Sequence, residues 1–315
     1  MSTIGIVILN YNNCKDTIAC VESIESFNTE PVKYIVVDNG STEENGVSNL
    51  SAYFKDRFGD NSLFISESKK QIDRLPRLSF IASPHNDGYA RGNNKGLFYA
   101  FQDSEIQYVL ILNNDIVFQS DLLPVLRKSY ESLPTPGIIT PLLRNRKKTE
   151  FNCARRCPDN WQVIRPFLFF NRNFFNKLSK DSISLKYLRT NPELMERTAF
   201  EIDLPSGSFM FISKELFSSV NGFDPGTFLY YEENILCKKF KEKGVINYCI
   251  PTVSAFHFGG ASTNKTSPVF LQKCSIQSAN YYLRNFTDLT FLQRIIWGLT
   301  QAAWALNFKI KRDAK

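Results

Sequence analysis

Residues 4–12 read IGIVILNYN, a nearly continuous apolar run that ends at Leu9 and gives way to polar residues. Unbroken apolar runs of this length are typical of strands buried on both faces of a parallel sheet. Further apolar residues recur every three positions from Ile18 to Phe27, as expected for a helix that packs on such a strand. The chain therefore opens with the predicted strand and helix of an α/β fold.

The same alternation of apolar runs and helical patterns continues along the chain. Further strands are predicted at 34–37, 78–82 and 108–112, within 201–213, and at 245–250 and 253–258. Residues 144–200 interrupt the pattern, and 232–243 form a predicted helix. This order predicts a doubly wound, mostly parallel sheet flanked by helices, whose ligands bind at the carboxyl ends of the strands.

Polar residues follow three of the predicted strands. They are Asn10-Tyr11-Asn12 after the first strand, Asp38-Asn39-Gly40-Ser41 after the second, and Asn113-Asn114-Asp115 after the fourth. Each segment alone is also typical of a turn, because Asn, Asp and Gly favour turn conformations. Three such segments at one edge of a sheet are better explained by a binding site.

Asp38 is the first candidate binding residue, because a carboxylate after a second strand can accept hydrogen bonds from ribose hydroxyls or a base N–H. Dinucleotide-binding folds also carry such an acid, but they need a G-x-G-x-x-G turn after the first strand. Residues 10–14 contain no glycine, which argues against a hydride-transfer cofactor. Without that turn, the charge of a nucleotide diphosphate needs another partner.

Asp115 is the candidate for holding a divalent cation, since it follows the fourth predicted strand. Magnesium and manganese prefer oxygen ligands, and manganese also accepts imidazole. Of the two histidines, His85 and His257, the second precedes a glycine turn at a strand end and is a reasonable ligand. Spacing alone leaves open a structural role, which is the commoner one for a lone histidine.

Glu232 and Glu233 form a second chemical cluster at the start of the predicted helix 232–243. Transfer to a hydroxyl needs a general base near the acceptor oxygen, and two adjacent carboxylates offer one base and one orienting group. Acidic residues also stabilise the first turn of a helix through its dipole. The local sequence therefore leaves both roles open.

Several segments, in chain order, resemble motifs of glycosyltransferase family 2, the inverting enzymes of the GT-A fold, and in particular its rhamnosyltransferase-like members. The segments are ILNYN (8–12), VVDNGST (36–42), NDGYARGNNKG (86–96), LNND (112–115), GFD (222–224), FLYYEE (228–233) and HFGGAST (257–263). The resemblance implies a Rossmann-like GT-A catalytic domain over 1–265, followed by a C-terminal helical region, 266–315. The catalytic domain would comprise a nucleotide-sugar-binding half (1–140), a variable insertion (141–200), and an acceptor- and metal-binding half (201–265).

The resemblance also implies roles for individual residues. Glu233 is the expected base with Glu232 as its helper, and Asp115 and His257 are the expected ligands of Mn²⁺ or Mg²⁺. The expected donor-binding residues are Asn10, Tyr11, Asp38, Arg91, Asn94 and Asn114. Two positions depart from the family pattern: the metal motif D-x-D keeps only Asp115, and Glu233 stands where the family usually has Asp.

The implied reaction is a single inverting displacement, in which a sugar moves from a nucleotide diphosphate donor to a hydroxyl of a saccharide acceptor. The resemblance suggests dTDP-rhamnose as the first choice of donor, UDP-hexoses as the second, and a lipid-linked acceptor in surface polysaccharide synthesis. A metal-dependent nucleotidyltransferase is the alternative enzyme, but it should carry a glycine-rich basic loop after the first strand. A noncatalytic nucleotide-sugar-binding or scaffold protein is the other alternative, against which the retained acidic residues and His257 argue.

The composition is that of an ordinary globular protein, with 315 residues of which 43% are hydrophobic and 22% charged. The seven cysteines are odd in number and irregularly spaced, and we expect no secretory leader, so a reducing, cytoplasmic setting is predicted. No apolar stretch reaches the roughly 18 residues of a membrane span. We expect no nucleic-acid partner.

The basic excess of the chain lies in one segment. Residues 144–197 hold 13 Lys/Arg and 5 Asp/Glu, whereas the net charge of the whole chain is only +7. Within this segment, 165–175 (RPFLFFNRNFF) mixes apolar side chains with cations, which suits a membrane surface or a lipid diphosphate acceptor. The alternative is that the phenylalanines form the core of a helical insertion.

The predicted C-terminal helix has two apolar faces. One is formed by Phe291, Leu292, Ile295, Ile296, Leu299, Ala303 and Leu306, and the other by Trp297, Trp304 and Phe308. We expect the first face to dock on the catalytic domain and the tryptophans to lie at headgroup level, in peripheral contact with the inner face of the cell membrane. A homodimer formed through this helix is the alternative.

Overall fold

The structure is a computed structural model that describes residues 3–66, 71–145, 153–168, 191–259 and 266–313. Its strands are β1 (Thr3–Asn10), β2 (Val32–Asn39), β3 (Ser62–Ser66), β4 (Leu78–Ser83), β5 (Ile106–Asn113), β6 (Ile116–Val117), β7 (Pro136–Arg144), β8 (Ala154–Arg155), β9 (Phe200–Ile202), β10 (Leu204–Pro205), β11 (Phe209–Ser213) and β12 (Ile246–His257). Its helices are α1 (Cys14–Phe27), α2 (Gly46–Phe58), α3 (Gly88–Gln102), α4 (Leu123–Ser132), α5 (Asn160–Ile164), α6 (Lys214–Ser218), α7 (Glu232–Glu242), α8 (Pro268–Phe286) and α9 (Phe291–Asp313).

One large sheet carries most of the strands, in the order β3-β4-β2-β1-β5-β11-β7-β12-β6, with β9 also paired to β12. Neighbours from β3 to β5 are parallel, as are β7 and β12. β11 runs antiparallel between β5 and β7, and β6 and β9 run antiparallel to β12. The predicted α/β fold with a mostly parallel sheet and flanking helices is confirmed.

Helices cover both faces of this sheet, and β1 buries alternate side chains on opposite sides. Ile4, Ile6 and Ile8 belong to the core cluster that includes side chains of α1, α2 and α4. Val7 belongs to the opposite cluster, together with Leu97 of α3. Two-sided burial explains why this strand reads as a continuous apolar run rather than an alternating one.

Several strand predictions differ from the structure. The sequence pattern predicts neither β3, an edge strand with only three consecutive apolar residues, nor the buried strand β7, whose apolar run is interrupted by Thr140 and Pro141. The strands predicted at 245–250 and 253–258 are one strand, β12. Its register against β7 shifts between Ile250 and Ser254, which accommodates Pro251, a residue that cannot donate to the ladder.

The C-terminal helices share a third core cluster with α5 and α7. It contains Phe167, Ile235 of α7, Tyr282 of α8, and Trp297 and Trp304 of α9. None of the described helices has the length and hydropathy that crossing a bilayer requires. Of the predicted insertion 141–200, the stretch 146–152 and the aromatic stretch from 169 to 190 lie outside the described residues, as do 260–263 of the motif after His257.

The predicted orientation of α9 is wrong, because its two faces are exchanged. Trp297 and Trp304 are 2% and 5% exposed, whereas Phe291 and Leu299 are 81% and 69% exposed. The indole N–H of Trp304 donates to the Phe167 carbonyl at 2.7 Å, and that of Trp297 to Asn280 Oδ1 at 3.2 Å. Buried indoles need such partners, and a pattern of apolar residues does not show where the partners lie.

Candidate active site

Asp38, at the carboxyl end of β2, lies in a buried polar network with Asn10 at the end of β1 and Ser41 after β2. Its Oδ2 accepts hydrogen bonds from Asn10 Nδ2 at 2.7 Å and Ser41 Oγ at 2.6 Å, and its Oδ1 accepts one from the Ser41 N–H at 2.9 Å. The network forms because β1 and β2 are parallel with Asn10 opposite Asp38. A carboxylate can accept about four hydrogen bonds, but Asp38 is 0% exposed, so its contact with a donor stays a prediction.

The network extends from Asn10 to the loop after β5. Asn114 Nδ2 donates to Asn10 Oδ1 at 3.3 Å and to Thr17 Oγ1 at 3.0 Å, and the Thr17 hydroxyl donates to Asn10 Oδ1 at 2.8 Å. Asn10 and Asn114 are 1% and 5% exposed. Their amides therefore hold the ends of β1 and β5 together, and direct contact of either residue with a donor stays a prediction.

Asp115 and His257, predicted from distant segments, lie side by side. His257 Nε2 is 3.2 Å from Asp115 Oδ1, because β12 pairs antiparallel with β6 and sets His257 opposite Ile116. The Phe258 N–H donates to the Asp115 carbonyl at 3.1 Å, which fixes the two strand ends together. Apart from this approach of His257, which does not have the geometry of a hydrogen bond, the buried Asp115 Oδ1 has no partner among the described residues, a state that buried carboxylates rarely keep without an ion or water.

These two residues fit a divalent cation that also binds phosphate. Carboxylate oxygen and imidazole nitrogen are both ligands of manganese, and magnesium commonly combines one or two protein carboxylates with substrate phosphates. Within the described parts of the chain, no three His, Cys, Asp or Glu side chains group closely enough to hold a metal. A cation at Asp115 and His257 would therefore need further ligands from a substrate such as a diphosphate.

The remaining predicted donor residues lie after β1 and on α3. Tyr11 is half-buried directly after β1. Arg91 is exposed in the first turn of α3, where its Nε donates to the Pro225 carbonyl at 3.0 Å. Asn94 uses its amide in two hydrogen bonds with the backbone of Phe223, at 2.7 and 2.9 Å. Asn94 thus ties α3 to the segment that leads to the acidic pair, and its donor contact stays a prediction.

Tyr89 links that segment to the end of β5. Its N–H donates to the Phe228 carbonyl at 2.8 Å, and its hydroxyl donates to the Gly207 carbonyl. The next residue, Ser208, accepts a hydrogen bond from the N–H of Asn113 at 2.9 Å. Tyr89 therefore joins the segment that precedes Glu232 to the end of β5, which precedes Asp115.

The acidic pair follows two tyrosines with an unusual backbone. Tyr230 and Tyr231 have φ of +77° and +71°, a left-handed conformation that bulky side chains rarely adopt. Strain of this kind is often retained at functional sites. The Tyr231 ring stacks on Tyr282 of α8 with centroids 5.4 Å apart. This turn sets the direction in which α7 begins and so positions Glu232 and Glu233.

Glu233 forms an ion pair with Arg155, a residue that the sequence analysis did not select. Arg155 Nη2 lies 2.6 Å from Glu233 Oε1 and also donates to the Pro205 carbonyl at 3.0 Å. Arg155 reaches this position because β8 pairs antiparallel with β10, with Arg155 opposite Leu204. Within a basic segment, one arginine among 13 Lys/Arg gives no local sign of a contact 78 positions away.

Glu232 differs from Glu233 in its surroundings. It is 2% exposed, and burial together with the neighbouring charge of Glu233 raises the pKa of its carboxyl to about 8. Its Oε1 has no hydrogen-bond partner among the described residues. At neutral pH Glu232 is therefore mainly protonated, whereas the Glu233 side chain is 18% exposed and ion-paired.

A cavity of about 520 Å³ lies beside the segment that precedes Glu232. Gly226 and Phe228 line one side, and α8 lines the other with side chains that include Gln277, Arg284 and Asn285. Amide and guanidinium groups of this kind can donate hydrogen bonds to sugar hydroxyls or phosphate oxygens. The cavity therefore adjoins the approach to the acidic pair, and Asp115 and His257 are not among the residues that line it.

Comparison with known proteins places these features in a family. The family described as Glycosyl transferase family 2 matches residues 5–218. Rhamnosyltransferase WbbL of Escherichia coli (strain K12) is 26% identical over 174 residues, which span 54% of this chain and 61% of WbbL. The low-salt glycan biosynthesis hexosyltransferase Agl10 of Haloferax volcanii is 23% identical over 82% of this chain and 67% of Agl10. The N-acetylglucosaminyl-diphospho-decaprenol L-rhamnosyltransferase of Mycobacterium tuberculosis is 20% identical over 75% of this chain and 69% of its own.

Two solved structures resemble the fold. GalNAc-T7, crystallised with UDP, GalNAc and Mn²⁺, superposes with a TM-score of 0.60 and 14% identity over 90% of this chain and 48% of its own. Mannosyltransferase PcManGT from Pyrobaculum calidifontis, in complex with GDP-Man and Mn²⁺, gives a TM-score of 0.54 and 14% identity over 96% of this chain and 69% of its own. The predicted GT-A fold is confirmed by these likenesses.

Proposed function

Because the chain belongs to glycosyl transferase family 2, we propose that it is a metal-dependent, inverting glycosyltransferase that moves one sugar from a nucleotide diphosphate donor to a saccharide hydroxyl. The observation that carries this proposal is the pairing of Asp115 with His257 at the sheet edge that also holds Asp38. The proposed donor is dTDP-rhamnose, because two of the named relatives are rhamnosyltransferases. UDP-hexoses are the second choice, since Agl10 is a hexosyltransferase and the GalNAc-T7 structure contains UDP.

Glu233 is the proposed general base. Its carboxylate would take the proton of the acceptor hydroxyl while that oxygen bonds to the anomeric carbon, and the bond from this carbon to the diphosphate breaks on the opposite side. Arg155 holds Glu233 Oε1, so we assign the proton transfer to Oε2. Glu232, which is mainly protonated at neutral pH, would support the start of α7 and help to orient its neighbour.

The donor would lie along the carboxyl ends of β1, β2 and β5. Asp38 would accept hydrogen bonds from the nucleoside, with Asn10 and Asn114 holding it in place and with Tyr11 and Arg91 as further contacts. Asp115 and His257 would hold Mn²⁺ or Mg²⁺, which when bound stabilises the negative charge of the leaving diphosphate. Asn94 would act by keeping α3 against the acceptor-side segment.

The cavity beside α8 is the proposed place for the acceptor. A lipid-linked acceptor is proposed because the Mycobacterium tuberculosis relative is named for N-acetylglucosaminyl-diphospho-decaprenol, a saccharide joined to a lipid through a diphosphate. Such an acceptor would bring the protein to the cytoplasmic face of the cell membrane as a peripheral enzyme of surface polysaccharide synthesis. We also retain the proposed division into a catalytic domain, 1–265, and a helical region, 266–315.

The test of this function is transfer by matched variants of the acidic pair. Glu233→Gln should keep the fold and the donor affinity but lose roughly 10²–10⁴-fold in transfer rate, the usual contribution of a general base. The loss should appear in kcat with little change in donor KM. Glu232→Gln should lose less, since its neutral amide replaces a carboxyl that is already mainly protonated.

Three outcomes would change this conclusion. A larger loss in Glu232→Gln than in Glu233→Gln would reverse the assignment within the pair. Wild-type kcat in both variants would remove the acidic pair from catalysis. Binding of nucleotide sugars without transfer or donor hydrolysis, with or without Mn²⁺, would favour a noncatalytic binding protein.

A further inference from the structure

Within the part of the chain that the structure describes, α9 presents an apolar face to solvent. This aliphatic face of α9 consists of Phe291 (81% exposed), Leu292 (58%), Ile295 (45%), Leu299 (69%) and Leu306 (60%). With 3.6 residues per turn these side chains fall on one side of the helix, and at 1.5 Å per residue they extend along about 22 Å of it. An apolar stripe of this extent on a globular protein marks an interaction surface.

The opposite face of α9 fixes this orientation. Trp297 and Trp304 are buried in the third core cluster, and both indole N–H groups have hydrogen-bond acceptors. Between them, the Thr300 hydroxyl donates to the Ile296 carbonyl and is also buried. Rotating the helix to bury the aliphatic face would expose two indoles, each of which buries roughly 150–250 Å². The aliphatic face therefore stays outward.

Positive charge flanks this face. Arg294 and Lys309 are exposed on α9, and residues 291–315 hold five Lys/Arg and a single Asp. Residues 169–190, which continue from Leu168 and lie outside the described residues, hold another five Lys/Arg and a single Asp. Because both segments are basic, charge repulsion disfavours binding of residues 169–190 to the aliphatic face of α9. The same repulsion disfavours binding of a second copy of α9. An anionic surface is complementary to both segments.

We propose that the aliphatic face of α9 inserts into the headgroup layer of a membrane that contains anionic lipid. A helix with one apolar face and flanking cations is suited to lie in the plane of such an interface. This inference deepens the proposed function by naming the surface through which the enzyme reaches a lipid-linked acceptor. It rests on that function only for the identity of the acceptor, because membrane binding itself requires no sugar transfer.

The experiment is co-sedimentation of the full chain with vesicles of phosphatidylcholine alone and of phosphatidylcholine mixed with phosphatidylglycerol. Wild type should bind the mixed vesicles more tightly, and added salt should weaken this binding. The double variant Leu299→Gln/Leu306→Gln should lose at least about tenfold in affinity, because two side chains no longer leave water. Glutamine keeps the helix propensity. Phe27→Gln/Phe64→Gln, which alters side chains that are 44% and 41% exposed elsewhere, should bind as wild type does.

Several results would overturn this proposal. One is that the wild type does not sediment with the mixed vesicles, and another is that the α9 double variant binds them as tightly as wild type does. A loss of affinity in the Phe27→Gln/Phe64→Gln control as large as that of the α9 variant is the third such result. Light scattering adds a fourth: a wild-type dimer that the α9 changes convert to a monomer, without vesicle binding, would assign the face to a second copy. Donor hydrolysis in the same preparations separates the two proposals. The α9 double variant should hydrolyse the donor at the wild-type rate but no longer bind vesicles. Glu233→Gln should bind vesicles as wild type does but lose sugar transfer.

Discussion

Arg155 is held on two sides, by the carboxylate of Glu233 and by the Pro205 carbonyl. A guanidinium anchored in this way can keep the carboxylate in one orientation, because its planar fork fixes the direction of each N–H. We therefore regard Arg155 as a positioning residue that acts through Glu233. Adjacent residues of α7 thus receive different partners, which makes Glu233 and Glu232 chemically distinct.

Replacing Arg155 should impair transfer without altering donor binding. We expect Arg155→Met to lower kcat roughly 10–100-fold, since small misplacements of a catalytic group are costly, with little change in donor KM. Arg155→Lys should recover part of the rate. Adding Arg155→Met to Glu233→Gln should lower kcat little further, because both changes disable the same Arg155–Glu233 pair. Fully additive losses in this double-mutant cycle would mean that Arg155 acts at another place.

The raised pKa of Glu232 predicts a dependence of stability on pH. The pKa of the Glu232 carboxyl is about 8 in the folded protein, against an ordinary value of 4.5 that applies to the unfolded chain. The folded protein thus binds this proton more tightly. Stability should therefore fall as pH rises from about 4.5 to about 8. Glu232→Gln removes this titration, so its unfolding free energy in urea should rise relative to wild type across that window. A constant difference between the two proteins at all pH values would contradict the buried, protonated state.

At the scale of single elements, the motif 86–96 illustrates what sequence reasoning can and cannot reach. Gly88 has φ of +82°, and a Cβ there would overlap the Phe228 carbonyl oxygen, so the start of α3 requires glycine. Asn94 bonds to Phe223, which is 129 positions away. The resemblance selects this motif, most of which lies in α3, but these contacts join distant parts of the chain. Their role in holding α3 against the acceptor-side segment could not be predicted from local pattern.

The exchanged faces of α9 lead to a prediction for this helix. Trp304→Ser should destabilise the protein by about 3–5 kcal/mol, the usual cost of removing a buried large aromatic side chain. It also removes the hydrogen bond to the Phe167 carbonyl. Leu299→Gln, on the exposed face, should change stability by less than about 0.5 kcal/mol. Urea unfolding measures both. A stable Trp304→Ser protein that has lost vesicle binding would instead restore the orientation expected from the sequence.

At the scale of the whole molecule, predictability follows burial and sequence distance. β1, β2, β4 and β5 could be predicted because strands buried on both faces read as continuous apolar runs. The equally buried β7 was missed because Thr140 and Pro141 interrupt its run. Asp38 and Asp115 could be selected because parallel strands end at one edge of the sheet. The 3.2 Å approach of His257 to Asp115 depends on the pairing of β6 with β12, which spacing along the chain does not reveal.

The same pairing has a consequence for ligand binding. Asp38 lies at the end of β2 and Asp115 follows β5, both in the first half of the chain, whereas His257 ends the last strand of the sheet. A donor bound through a cation would therefore connect both halves of the molecule. Since ligands that bind only the folded state stabilise it by mass action, this connection should be visible as a change in global stability.

We expect dTDP-rhamnose with Mn²⁺ to raise the melting temperature by several degrees, because a ligand at 100 times its Kd stabilises by about 2.7 kcal/mol. Without Mn²⁺ the shift should be smaller, since the diphosphate would face the carboxylate of Asp115 uncompensated. Asp115→Ala should abolish the part of the shift that depends on Mn²⁺, and the exposed control Asp60→Ala should keep it. Equal shifts with and without Mn²⁺ would contradict the cation site. Equal shifts from UDP-hexoses would instead contradict only the preference for a rhamnose donor.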